Sequence, residues 1–83
     1  MKLASLNHGR DGQLVVVSRN LAQAVHAHDI APTLQFALDN WDQVEGDLQH
    51  LYRNLNDGVA RDVFPFNPAL CSSPLPRAYQ WAD

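Results

Sequence analysis

The chain has a single cysteine, and only six Lys and Arg among its 83 residues. One cysteine permits no internal disulfide, so the expected setting is a reducing, cytoplasmic one and the fold must rest on a packed core. Six basic residues stand against nine acidic ones, for a net charge of −3. They are scattered along the sequence. No basic stripe of the kind that displaces phosphate counterions is visible, which argues against nucleic acid as a partner. No apolar run approaches the roughly 20 residues needed to cross a bilayer. The segment Met1–Asn7 carries one Lys without an apolar stretch of signal-peptide length, so no membrane association is expected. Internal repeats, low-complexity tracts and a phosphate-cradling glycine loop are also missing, and Gly9-x-x-Gly12 reads as a turn.

What is present suits one small folded domain. Apolar residues make up 46% of the chain, and a chain of this size buries roughly 60–65% of its unfolded surface. Residues 2–7 and 13–19 read as two strands joined by a turn that contains Asp11-Gly12. The run Leu14-Val15-Val16-Val17 has no polar alternation, which places it mid-sheet with both faces covered. Residues 22–27 read as a third strand or a short helical turn, and the strand is favoured because two strands alone are marginal. The stretch from Ile30-Ala31-Pro32-Thr33 to Asp57 reads as a helix stopped by Gly58. Its apolar positions, Leu34, Leu38, Trp41, Val44, Leu48, Leu51, Tyr52 and Leu55, fall in an arc roughly 140° wide. The arc keeps its phase across Gly46, which favours one helix, or two nearly collinear ones, over a reversal, with Gly46 the expected place for a kink. Arg61–Pro68 is too rich in proline for a central strand and is expected as an extended edge segment. The expected fold is therefore α+β: a small antiparallel sheet of two to three strands against one long amphipathic helix.

The residues that could carry chemistry are few. His26 and His28 form an H-x-H pair beside Asp29, but two ligands do not make a metal site and spacing supplies no third. Cys71 has no base or oxyanion-binding pattern around it and reads as structural. His8 and His50 read as solvated. The acidic residues Asp39, Asp42, Glu45 and Asp47 form a solvated helix face rather than a pair with split pKa values. No catalytic, cofactor-binding or metal residue is assigned in this chain.

Four apolar residues stand out instead. Phe36 projects near 200°, roughly opposite the apolar arc, among polar neighbours. Leu75, Tyr79 and Trp81 load the last ten residues with apolar surface. These four are the candidate domain-interface residues. The expected organisation is an N-terminal α+β domain over residues 1–73, followed by a linker or first strand, residues 74–83, that leads into a C-terminal domain not present here.

The opening Met1-Lys2-Leu3-Ala4-Ser5-Leu6, the turn Gly9-Arg10-Asp11-Gly12, the run Leu14-Val15-Val16-Val17-Ser18-Arg19, the helix start Ile30-Ala31-Pro32-Thr33-Leu34-Gln35 and the tail Ser73-Pro74-Leu75-Pro76-Arg77-Ala78-Tyr79-Gln80-Trp81-Ala82-Asp83 together resemble the N-terminal domain of bacterial proteins of the fumarylacetoacetate hydrolase family. The resemblance spans nearly the whole chain, and residues 61–70 carry it least. It implies a parent enzyme that hydrolyses carbon–carbon bonds in β-dicarbonyl acids. It also implies Mg²⁺ or Ca²⁺ held by carboxylates and a His–Glu pair that activates water, all in the C-terminal domain. This chain would then be a non-catalytic domain that supports its own C-terminal catalytic domain or a homodimer. The alternative is a stand-alone protein-interaction module.

Overall fold

The computed structural model describes residues 1–7, 12–70 and the backbone of 77–78. Five strands, two helices and one 3-10 turn follow in the order β1 (Lys2–Leu6), β2 (Gln13–Val17), β3 (Gln23–His26), α1 (Leu34–Asp39), α2 (Trp41–Asn56), β4 (Phe64–Pro65), the 3-10 turn (Pro68–Leu70) and β5 (Arg77–Ala78). The strands form one antiparallel sheet in the order β4-β3-β2-β1-β5. The class is α+β, with the three longer strands where the sequence places them. Two short edge strands raise the strand number above the expected two to three. Proline explains why β4 is an edge, since Pro65 has no N–H to give to a further strand. The expected edge segment at residues 61–68 thus supplies β4.

Period-two alternation divides the strands between two cores. Leu3, Val16 and Val25 stand opposite one another across β1, β2 and β3. With Met1, Leu14, Ala27, Ala31, Ala37, Val44, Leu48 and Leu55 they make the core under the helices. The other set, Ala4, Leu6, Val15, Val17 and Ala24, packs with Phe66 on the opposite face. All four residues Leu14–Val17 are fully buried, as a central strand covered on both sides requires.

The helical region takes the two-helix form of the expectation, but it starts later than Ile30 and divides at a different residue from the expected Gly46. Residues 28–30 form a turn, with the Ile30 and Ala31 amides both donating to the Ala27 carbonyl at 2.9 Å. The first helix starts at Leu34, where the Thr33 Oγ1 accepts from the Phe36 amide at 3.0 Å and caps it. The break falls at Asn40, and Gly46 lies inside a continuous α2. Asn40 leaves helical geometry at φ −122°, ψ 31°. Its backbone amide and its side-chain Nδ2 both donate to the Phe36 carbonyl, at 3.0 and 2.9 Å. Its own carbonyl accepts from Gln43 and Val44. One asparagine therefore closes α1 and opens α2, by the side-chain competition that asparagine brings to a helix.

The buried stripe is narrower than the expected arc. At ~100° per residue counted from Leu34, Ala37, Val44, Leu48 and Leu55 lie within about 20° of 300°, and these are the residues sealed from water. Leu38 lies about 100° from that centre and is 37% exposed. Its place on the apolar side of the helix is corrected accordingly. The helix ends as expected: Gly58 takes φ +78°, and the amides of Gly58 and Val59 donate to the carbonyls of Leu55 and Asn54.

Candidate functional site

An open groove of about 550 Å³ lies where the C-terminal end of α2 meets the β2–β3 turn. Lys2, Arg19, Gln49, Tyr52, Arg53, Asn56 and Asp57 line it. The hairpin register builds it. Lys2 pairs with Val17, two residues before Arg19, and its Nζ donates to the Arg19 carbonyl at 2.8 Å. From the other wall, the Asn56 Oδ1 accepts from the Arg19 amide at 2.9 Å, while its Nδ2 donates to the Tyr52 carbonyl at 3.0 Å.

The turn that presents Arg19 is heavily cross-braced. The Ser18 hydroxyl donates to the Asn20 Oδ1 at 2.7 Å and accepts from the Gln23 amide at 3.0 Å. The Asn20 Oδ1 also accepts from the Ala22 amide. Backbone bonds from Ser18 to Gln23 and from Leu21 to Ser18 complete the loop. Within it Leu21 is held at φ 63°, in the left-handed region that a leucine enters only at some cost.

Three of the six basic residues thus converge although the sequence scatters them. The Met1 amine registers their field. Burial lowers its pKa from the usual 8.0, and the charges of Lys2 and then Arg19 lower it further. The convergence was open to inference from sequence. A hairpin centred on the 8–12 turn pairs Lys2 with Val17, which brings Arg19 beside it. The approach of Arg53 depends on how α2 crosses the sheet, and no local pattern encodes that.

The residues singled out from sequence lie elsewhere. Phe36 is exposed at 42% on α1, as its phase predicts, and Leu38, also exposed, projects from roughly the opposite side of the helix. Leu38 helps line a smaller hollow of about 250 Å³ at the α1–α2 junction with Trp41 and Asp42. Leu75, Tyr79 and Trp81 lie outside the described residues, as do Cys71 and His8. The His26 ring sits 4.9 Å from the Phe64 ring and 5.9 Å from the His28 ring, centre to centre. The His28 Nε2 lies 3.5 Å from the Asp29 Oδ1 with both side chains largely in solvent. Among the described residues no three His, Cys, Asp or Glu come together as a metal site, and no helix is long and apolar enough to cross a membrane.

A family model described as fumarylacetoacetase N-terminal domain 2 matches residues 1–77. No curated protein matches the chain.

Proposed function

The chain belongs to the fumarylacetoacetase N-terminal domain 2 family, and we propose that it is a non-catalytic support for the catalytic domain of a fumarylacetoacetate hydrolase-like enzyme. The parent reaction on this reading is carbon–carbon bond hydrolysis of β-dicarbonyl acids. The observation that carries the reading is the family match over residues 1–77 of a chain whose described residues offer no constellation of nucleophile, base and oxyanion donors. Its clustered groups are mainly cations and amides, with Tyr52 and Asp57 beside them, a set suited to binding. The divalent metal expected in such an enzyme finds no ligand set among the described residues.

Support of a second domain needs an apolar contact surface. Phe36, exposed on α1, is the candidate on the helical side. Leu75, Tyr79 and Trp81 are candidates on the segment around β5, whose backbone pairs with Lys2 and Leu3 at the edge of the sheet. A strand added at that edge and continuing outward would join the two domains by main-chain bonds and side-chain docking together.

The experiment compares Tyr79→Ala plus Trp81→Ala with Leu48→Ala in chemical unfolding of the 83-residue chain. The aromatic pair should cost less than the core leucine, because its packing partner lies in the other domain. An equal or larger loss would assign both aromatics to this domain's own core and remove the docking surface.

A further inference from the structure

We propose that the groove formed by Lys2, Arg19 and Arg53 binds a small oxyanion carrying two negative charges, a dicarboxylate or a phosphate. The cations come from three elements distant in sequence: β1, the β2–β3 turn and the last turns of α2. Among the described residues neither guanidinium is paired with a carboxylate or used in a side-chain hydrogen bond. The ion contact present is that of His28 with Asp29, away from the groove. Asp57 and the carbonyl end of α2 offset part of the positive charge. The carbonyls of Asn54 and Leu55 are already occupied by the amides that close the helix. Among the described residues of the groove three cations face one carboxylate, a surplus that a ligand anion can balance.

The groove is also built in advance. Arg19 is fixed at its amide by Asn56 and at its carbonyl by Lys2, within a turn locked by Ser18 and Asn20. The strained Leu21 shows that this turn is held in place by its bonds rather than by local preference. Fixing the backbone beforehand reduces what a ligand must order on binding. A guanidinium fork matches a carboxylate or phosphate edge through two parallel hydrogen bonds. Two such forks with an ammonium beside them suit a dianion, because a monoanion satisfies one fork only. The volume falls within the roughly 300–1,000 Å³ usual for small-molecule sites. A long nucleic acid is a poorer fit, since the chain is acidic overall and no basic stripe extends from the groove. The inference does not depend on the support role, although Lys2 also pairs through its backbone with β5, the segment proposed to dock the second domain.

The test is an NMR titration of the 83-residue chain with succinate, with inorganic phosphate and with acetate at low ionic strength. Saturable shifts at Arg19, Arg53 and Asn56 are expected for at least one dianion, with Kd below about 1 mM. Acetate should bind at least roughly tenfold more weakly. Succinate binding without phosphate binding identifies a dicarboxylate site, and the reverse identifies a phosphate site. Arg19→Gln and Arg53→Gln alter exposed side chains and should leave the thermal midpoint in place while each weakens binding several-fold. Arg53→Lys should retain more affinity than Arg53→Gln. Non-saturating shifts with both dianions, equal affinity for acetate, or binding that survives the double Gln variant would overturn the proposal.

Discussion

On one face of the sheet Leu3, Val16 and Val25 lie under two helices whose sealed residues, Ala37, Val44, Leu48 and Leu55, recur at spacings of four and seven. On the other face Val15, Val17 and Ala24 are equally dry, yet the described residues packed on them are Phe64 and Phe66, from a proline-bearing strap. That strap is tied at its start by the Phe66 amide to the Ala22 carbonyl at 3.0 Å. At its end the Asn7 amide donates to the Leu70 carbonyl at 2.7 Å. The same strand therefore meets two kinds of cover. The helical cover supplies its own backbone hydrogen bonds and brings many apolar contacts along one axis. The strap has little internal ladder and relies on anchor residues at its ends. Loss of one buried side chain should be harder to absorb under the rigid helix than under the strap, which can settle inward.

The largest expected effect breaks the helical side. Leu48→Ala removes a fully buried side chain from the middle of α2 and should cost about 3–4 kcal/mol, read as a lower urea midpoint. Phe66→Ala removes the strap's main anchor and should cost about 2–3 kcal/mol. Although phenylalanine is the larger residue, the loss should be smaller than that of Leu48→Ala, and a larger loss would make the strap the stronger cover. Gly46→Ala acts on the helical cover alone. No atom lies within 4 Å of the added Cβ, so the variant should gain about 0.5–1 kcal/mol, visible as a higher melting temperature. The smallest effect is electrostatic. The Met1 amine should titrate below 8.0 in the folded chain, and Arg19→Gln should raise its midpoint without restoring 8.0, because burial is the larger cause. The sign follows from linkage. A base whose folded pKa is lowered binds fewer protons when folded, so its contribution to stability grows as pH rises from the folded midpoint toward 8.0.

Much of this contrast was legible in the sequence, unevenly. The Leu14–Val17 run announced a strand covered on both faces, and the helical stripe from Val44 to Leu55 announced one cover. Gly58 announced the helix end. The break at Asn40 was not legible, because a glycine weakens a helix by composition whereas an asparagine breaks one only when its side chain finds the right carbonyl, here that of Phe36. The exposure of Leu38 follows from a stripe centred on Ala37, a small residue that apolar counting passes over. Phe36 was placed outside the stripe from its phase alone, and it is exposed. The second cover could be read only as an edge segment, since Phe64-Pro65-Phe66 has no periodicity to point it at a face. The cationic groove needed tertiary contact between α2 and the β2–β3 turn, and that contact is held by a single asparagine amide group.

Under the proposed support role, the chemistry of the parent enzyme belongs to another domain. The most direct measurement of that assignment is the hydrolysis of a β-dicarbonyl acid by the 83-residue chain in the presence of Mg²⁺, against Mg²⁺ alone. The account predicts the same rate in both. Saturable turnover clearly above the metal-only rate would contradict it.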